Sequence, residues 1–346
     1  MPWKKLSELH QKYFSSERRV SQETLQQMRN SLLEESALEQ NFLILVVGSC
    51  IIATLGLLAN SVAVIIGAMI IAPLMLPIRS VAFGILEADR RLIRSGLLSV
   101  IVGSALPVLI SALIGLATSV AQYGSEVLAR TQPTLLDLGI ALTAGAIAGF
   151  AKVEPKISTT LAGTAIAVAL MPPICVVGLW VAQGNWRLSL GALLLYMTNL
   201  FGITLACMVA FMLGGYSPFH RARRPLGLTL ILTSLLMVPL GYSSFTLLRQ
   251  NRLETSLRQA LLNKTVTFQR LRLVSMETDW LRSPPEVLLI VYASEPLTPT
   301  QVGLLEEFVG REMGRPFKLI FQVSRLEEVT HELPPAESPT PASPSP

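Results

Sequence analysis

Two apolar segments of the chain carry prolines at a spacing that an uninterrupted helix does not tolerate. Pro73 and Pro77 lie four residues apart in GAMIIAPLMLPI, and Pro172 and Pro173 are adjacent in ALMPPICVVG. A proline inside a helix removes one N–H donor, clashes with the carbonyl group four residues earlier and costs about 3 kcal/mol or more. The two segments therefore predict helices that are broken rather than continuous.

Broken helices set backbone carbonyl groups free, and a free carbonyl group can bind a solute. The carbonyl groups concerned belong to Met69, Pro73, Val168 and Ala169. Inside a bilayer, such backbone is tolerated only against protein or beside a water-lined cavity. Met69 and Val168, together with the four prolines, are therefore candidates for a substrate path. The alternative is that the prolines only kink two helices for packing.

Five further residues in apolar runs are candidates for contacts between helices. Asn199, in YMTNLFG, is an amide that either hydrogen-bonds across helices or contacts a substrate, and the sequence leaves both open. Gly145 and Gly149 form a GxxxG motif, which favours close helix packing over ligand binding. Gly67 and Gly163 lie about one turn into their helices and are assigned to packing as well.

The sequence does not predict an enzyme. It contains no GxxxxGK[ST] phosphate loop, no HExxH and no pair of aspartates in the middle of an apolar run. Cys50, Cys175 and Cys207 lack CxxC spacing, so we interpret them as small buried side chains rather than metal ligands or disulfide partners. We therefore expect no catalytic residue, no metal and no cofactor.

Composition places the chain in the membrane. Of 346 residues, 51% are hydrophobic and 15% charged, with a mean hydropathy of +0.52. The net charge of +5 collects in short basic clusters between apolar runs, which is typical of topology signals rather than of a nucleic-acid surface. The lipid bilayer is thus the expected partner, and nucleic acid is not.

Seven apolar runs are long enough to cross about 30 Å of hydrocarbon. They are residues 42–59, 62–83, 96–121, 135–151, 161–182, 188–214 and 226–247. Residues 1–41 before them are predicted to form a cytoplasmic amphipathic segment in which Ser21 caps a helix.

The C-terminal region follows a different pattern. Residues 249–330 alternate strand-like stretches with one helix that Thr298 caps, and predict a small α+β domain. Residues 331–346 are rich in proline and serine and predict a disordered tail.

Basic residues predict the orientation of the spans. An N-terminus on the inner side places the clusters 90–94, 152–156 and 221–224 inside and leaves Arg130 and Arg187 outside. Seven spans then place the C-terminal domain outside, unless the seventh run is re-entrant. We interpret KVEPK, residues 152–156, as a solvated turn in which Glu154 pairs with a lysine, with an inner gate as the alternative.

The two proline segments belong to an internal repeat. LMLPI at residues 74–78 and LMPPI at residues 170–174 share four of five residues at an offset of 96, and this offset also superposes the first three spans on the next three. Because three is odd, residues 42–121 and 135–214 would cross the membrane in opposite directions, as in the inverted repeats of many transporters.

These segments also carry a resemblance to a known family. NSVAVIIGAMIIAPLMLPI, ALMPPICVVG and LLLYMTNLFGI, in this order, resemble the signature segments of a prokaryotic membrane-protein family catalogued as an uncharacterised hydrophobic domain of unknown function. The resemblance covers about residues 42–214. It implies a membrane fold but no substrate.

We therefore expect an α-helical integral membrane protein of the prokaryotic inner membrane. It would be a transporter or channel for a small anionic or neutral polar solute, because helix N-termini carry about half a positive charge and few ionisable groups lie inside the spans. The alternative is a non-transporting scaffold or sensor that acts through its C-terminal domain. A homo-oligomer is a further possible assembly.

Overall fold

A computed structural model gives the conformation of most of the chain. It describes residues 20–118, 120, 122–154, 170–217, 219–265, 271–280, 282, 284–293 and 297–324. The contacts divide the chain into two compact units, Met1–Phe245 and Thr246–Pro346. Each unit is described by itself.

The first unit is helical throughout the residues described. Its helices are α1 (Gln22–Glu35), α2 (Gln40–Leu58), α3 (Val62–Ile71), α4 (Met75–Glu87), α5 (Arg90–Thr118), α6 (Ser125–Ala129), α7 (Leu135–Val153), α8 (Met171–Ala182), α9 (Trp186–Leu213) and α10 (Phe219–Lys264), the last of which continues into the second unit. One hydrophobic core contains buried residues from each of the helices α1 through α5 and from α7, α8 and α9.

Among the described residues, five helices are long and apolar enough to cross a membrane. They are α2, α5, α7, α9 and the stretch Ala222–Asn263 of α10, and the bent pair α3–α4 adds a sixth when it is counted as one span. The remaining predicted span, 161–182, is described only from residue 170, and its helix α8 has 12 residues. The chain is therefore an α-helical membrane protein with five or six candidate spans.

The N-terminal helix α1 begins where the sequence predicts. The Ser21 hydroxyl accepts a hydrogen bond from the Thr24 amide at 3.1 Å, so Ser21 is the predicted N-cap. Met28 and Leu32 are buried on one face, where α1 packs against α4 and α5. Residues 1–19 lie outside the described residues.

The helix starts follow the offset of the predicted repeat. Helices α4 and α8 begin 96 residues apart, and so do α5 and α9. Helices α2 and α7 begin 95 residues apart and contain 19 residues each. The offset found in a five-residue motif thus also relates the bounds of three helix pairs.

The second unit contains the predicted α+β fold. Strands β1 (Leu271–Asp279), β2 (Glu286–Ala293) and β3 (Lys318–Ser324) form one sheet in this order, and α11 (Pro299–Met313) connects β2 to β3. Strands β1 and β2 are antiparallel, whereas β2 and β3 are parallel. Thr298 forms the predicted cap of α11, with Gln301 completing a capping box.

The last turns of α10 belong to the core of this second unit. Leu257 and Leu261, four residues apart, are buried against Val287, Leu289 and the other core residues of the sheet and α11. This spacing keeps the chain helical to Lys264, so α10 extends well beyond the predicted seventh span of 226–247. The predicted tail, 331–346, lies outside the described residues.

Candidate functional site

Helices α3 and α4 are the two halves of a helix that is broken at Ala72–Leu74. Their axes differ by 51°. Ala72 has extended backbone, with φ −65° and ψ 121°, and Pro73 supplies no N–H to the Met69 carbonyl group. The Pro73 carbonyl group accepts from the Leu76 amide at 3.2 Å, so a tight turn satisfies one of the two predicted free carbonyl groups on this segment.

All four prolines lie at helix starts rather than inside continuous helices. Pro73 precedes α4 and Pro77 is its third residue, while Pro172 and Pro173 are the second and third residues of α8. The first N–H groups of a helix have no partner within the helix, so a proline there removes no hydrogen bond. The expected penalty for a proline inside a helix is therefore avoided at Pro77, Pro172 and Pro173.

Helices α3 and α8 are each too short to cross a membrane alone. Helix α3 has ten residues and spans about 15 Å, which is half of the roughly 30 Å hydrocarbon thickness. Helix α8 has 12 residues and spans about 18 Å, too short to cross the membrane alone. Both α4 and α8 thus have N-termini well inside the apolar unit.

The predicted path residues that the structure describes are buried. Met69 is 5% exposed and Asn199 is 4% exposed, and the four prolines are buried too. Helix α8 packs against α2, α5 and α9 and also contacts α3, the first half of the broken helix. Asn199 lies on α9, which packs against α4, α7 and α8. Val168 and Gly163 lie outside the described residues.

The prolines change the electrostatics of these two helix starts. In the first turn of α8 only Met171 and Ile174 carry an N–H, since Pro172 and Pro173 lie between them, and the Ile174 amide donates to the Leu170 carbonyl group at 3.4 Å. In the first turn of α4, the Leu76 amide bonds to the Pro73 carbonyl group and Pro77 has no N–H. Each helix start therefore offers fewer N–H donors to an anion than an ordinary helix N-terminus.

Glycines position α7 against α9. A Cβ on Gly145 would be 2.5 Å from the Ile203 carbonyl oxygen, and one on Gly149 would be 2.6 Å from the Ala210 Cβ. The Cys207 thiol donates to the Gly145 carbonyl group at 3.2 Å across the same contact. Around Gly67, by contrast, no atom of the described residues lies within 4 Å of an added Cβ.

Two polar contacts near α8 and α5 are not evident from the sequence. The sulfur atoms of Cys50 on α2 and Cys175 on α8 are 3.7 Å apart, and both thiols are fully buried. The Ser104 hydroxyl on α5 pairs with the Tyr196 hydroxyl on α9, one turn before Pro107. The cysteines are small buried side chains, as expected. The contact between Cys50 and Cys175 joins two residues that are 125 positions apart in the chain, so no local pattern predicts it.

The C-terminal part of α8 is held by the segment between α5 and α6. The Tyr123 hydroxyl donates to the Leu179 carbonyl group at 3.1 Å, and its ring packs edge-on against Trp180 with centroids 5.1 Å apart. Burial raises the pKa of the Tyr123 hydroxyl above its ordinary value. The Gln183 side chain donates to the Val120 carbonyl group at 2.8 Å.

A cluster of charged residues that includes one residue of α4 is also not predicted from the sequence. The Glu35 carboxylate, on the last residue of α1, pairs with Arg79 Nη2 at 3.0 Å and also with Lys152 Nζ. These side chains are only 13–23% exposed. The interpretation of Lys152 as part of a solvated turn is therefore wrong, because Lys152 lies within α7, is only 15% exposed and pairs with Glu35. A pair 117 residues apart has no local sequence signal.

In the part of the chain that the structure describes, no three His, Cys, Asp or Glu side chains are grouped closely enough to hold a metal ion. What the residues above define is an α-helical membrane protein with one bent helix pair and one short helix that starts at two prolines.

Comparison with known proteins confirms the resemblance to an uncharacterised family. Residues 69–205 match the family described as a domain of unknown function, DUF389. An uncharacterized protein of Methanocaldococcus jannaschii is 28% identical over 182 residues, which is 53% of this chain and 56% of that protein. The chain thus spans little more than half the length of this relative. No solved structure matches.

Proposed function

We propose that this protein is a transporter or channel whose solute path runs past the break between α3 and α4 and past the start of α8. The observation that carries the proposal is that α4 and α8 both start inside the apolar unit, 96 residues apart, at prolines. Leu74 and Leu170, which precede them, both have right-handed helical backbone. Interrupted helices at equivalent positions in two halves are the feature from which many secondary transporters build a binding site.

The proposal includes a three-plus-three inverted repeat within seven spans. The starts of α2 and α7, of α4 and α8, and of α5 and α9 support equivalent halves over residues 42–121 and 135–214. An odd number of spans in each half makes the halves run in opposite directions. The protein would lie in the prokaryotic inner membrane with its N-terminus in the cytoplasm and its C-terminal domain outside.

The proposed solute is small and either anionic or neutral and polar. Two helix N-termini carry partial positive charge toward the path, which disfavours a cation. The prolines leave few N–H donors at these N-termini, which weakens the case for an anion and strengthens that for a neutral polar solute. A solute panel that contains both classes decides between them.

Flux into proteoliposomes tests the proposal. Purified protein is reconstituted, and uptake of inorganic anions, small carboxylates, polyols and urea is measured against protein-free vesicles. We expect uptake of at least one solute, reduced in Pro77→Ala, which restores an N–H at the break, and unchanged in Pro225→Ala inside α10. Failure of every solute to enter would overturn the proposal.

The second unit favours one alternative, a scaffold or sensor that acts through the C-terminal domain without transport. Thr246–Pro346 has its own hydrophobic core, yet it leaves Val274, Ile320 and Val323 between 37% and 52% exposed. Deletion of residues 265–330 separates the two functions. Loss of a co-purifying partner with the membrane helices still folded supports the scaffold, whereas unchanged flux supports the transporter.

A further inference from the structure

The contacts of Glu35 connect three separate parts of the first unit. Its carboxylate belongs to α1 and meets Arg79 of α4, which is in the first half of the proposed repeat. The same carboxylate meets Lys152 at the end of α7, which is in the second half. Lys152 Nζ also donates to the Ser31 hydroxyl at 2.7 Å, one turn earlier on α1. One helix outside the repeat therefore ties both halves together.

The contact lies close to the break in the α3–α4 pair. Arg79 is four residues after Met75, the first residue of α4, and so is about 6 Å along the helix axis from the break. Arg79 and Lys152 are 13% and 15% exposed, so this is a largely dehydrated ion-pair cluster rather than a surface pair. A solute that passes the break on this side would have to part these side chains.

The junction between α1 and α2 is fixed by neutral hydrogen bonds. The Ser36 carbonyl group accepts from the hydroxyls of Ser99 at 2.6 Å and Ser95 at 3.2 Å, both on α5. The Ser80 hydroxyl, next to Arg79 on α4, donates to the Ser36 hydroxyl at 3.1 Å. These bonds do not depend on the Glu35 charge, and neither does the burial of Leu32 in the core or the ion pair between Arg29 and Asp89. When Glu35 releases Lys152, α1 would therefore stay against α4 and α5 in the first half of the proposed repeat, and only its tie to the second half would be lost.

We infer that α1 is a latch that closes the proposed solute path on the side of Arg79 and Lys152, and that the Glu35 carboxylate holds it shut. The inference rests on the proposed function, because a latch requires a path to close. Opening consists of Glu35 releasing Lys152, so that the end of α7 moves away from α1 while α1 stays against α4 and α5. The N-terminal segment thereby acquires a role beyond leading the chain into the membrane.

The test compares Glu35→Gln with Glu34→Gln. Glu34 is the neighbouring residue, with an exposed side chain, and serves as the matched control. We expect the amides in the last turn of α7 to exchange hydrogen about tenfold faster in Glu35→Gln, since neutralising the carboxylate removes its ion pair with Lys152, and to be unchanged in Glu34→Gln. Solute flux should rise in Glu35→Gln and stay unchanged in Glu34→Gln. Lys152→Met, which removes the same tie and keeps Glu35 and Arg79 paired, should give a similar rise and serves if Glu35→Gln does not fold.

Each result decides a separate statement. If the wild type transports solute and Glu35→Gln shows neither faster exchange nor higher flux, the latch is overturned and the path remains. Faster exchange at the end of α7 in Glu35→Gln, without a flux above that of the wild type, also overturns the latch. Faster exchange there with no flux in any variant or in the wild type overturns both the latch and the transporter.

Discussion

Gly178 of α8 lies directly against the Ser111 hydroxyl of α5, where no Cβ atom fits. A Cβ added to Gly178 would collide with Ser111 Oγ and with the Val108 carbonyl oxygen, and would be 3.0 Å from the Ala112 amide nitrogen. The Ser111 hydroxyl is turned back along α5 and donates to the Pro107 carbonyl group at 2.6 Å. This contact seats the short helix α8 on the long helix α5.

Gly178→Ala should therefore destabilise the membrane unit. Overpacking of a close contact costs about 1–3 kcal/mol, and the obstacles here include backbone atoms that a rotamer change cannot move. The measurement is the thermal unfolding midpoint in detergent, followed by tryptophan fluorescence.

Gly139→Ala on α7 is the control for this substitution. Around Gly139 no atom of the described residues lies within 4 Å of an added Cβ, so the change should stabilise the helix by about 0.5–1 kcal/mol. Equal midpoints for the two variants would show that α8 does not contact α5 as described.

The proposed orientation of the two halves predicts a pattern of reporter activities. We expect fusions after Gln40, Gln122, Gln183 and Asn263 to report inside, outside, outside and outside. Fluorescent reporters that fold only inside and alkaline phosphatase that is active only outside make the measurement. An inside result after Gln183 would place both halves the same way up and remove the inverted repeat.

The second unit should lose stability in acid through Glu286. The Lys318 ammonium group donates to Glu286 Oε1 at 2.8 Å and, with Arg282, lowers the pKa of this carboxyl group below 4.5. A lowered pKa means that the pairing stabilises the folded sheet above pH 4.5 and that this stabilisation is lost as the pH falls through the lowered value.

Lys318→Met removes the main cause of this shift. We expect the amides of β2 and β3 in the full chain to lose protection from hydrogen exchange at a higher pH than in the wild type. Arg311→Met is the control, because Arg311 pairs with Glu307 rather than Glu286. An identical acid transition in all three proteins would contradict the assigned role of Lys318.

Local patterns in the sequence were enough to place many of the elements. Ser21 and Thr298 cap the helices that they were expected to cap, because capping uses residues three positions apart. The broken helix at Pro73 follows from the missing N–H of proline alone. The 96-residue offset, taken from five residues, also relates the starts of the helices.

The contacts between distant residues could not be predicted in this way. Glu35 meets Lys152, and Cys50 meets Cys175, through the packing of helices that are more than 100 residues apart in the chain. Apolar helices carry little periodic signal for which face meets which neighbour, because lipid and protein interior are equally apolar. The extension of α10 beyond residues 226–247 has a related cause, since Leu257 and Leu261 pack in the core of the second unit.

The central claim, that water and solute reach the starts of α4 and α8, is tested most directly by cysteine labelling. In a background with Cys50, Cys175 and Cys207 replaced by alanine, Met75→Cys and Met171→Cys are exposed to a membrane-impermeant thiol reagent in proteoliposomes. Ile101→Cys on α5 is the control, since Ile101 is 55% exposed on the outer surface of an apolar helix and would face lipid. Labelling is expressed as a fraction of that reached in denaturant. We predict that both helix-start cysteines label faster than Ile101→Cys, whereas labelling of both at the rate of Ile101→Cys would contradict the proposed path.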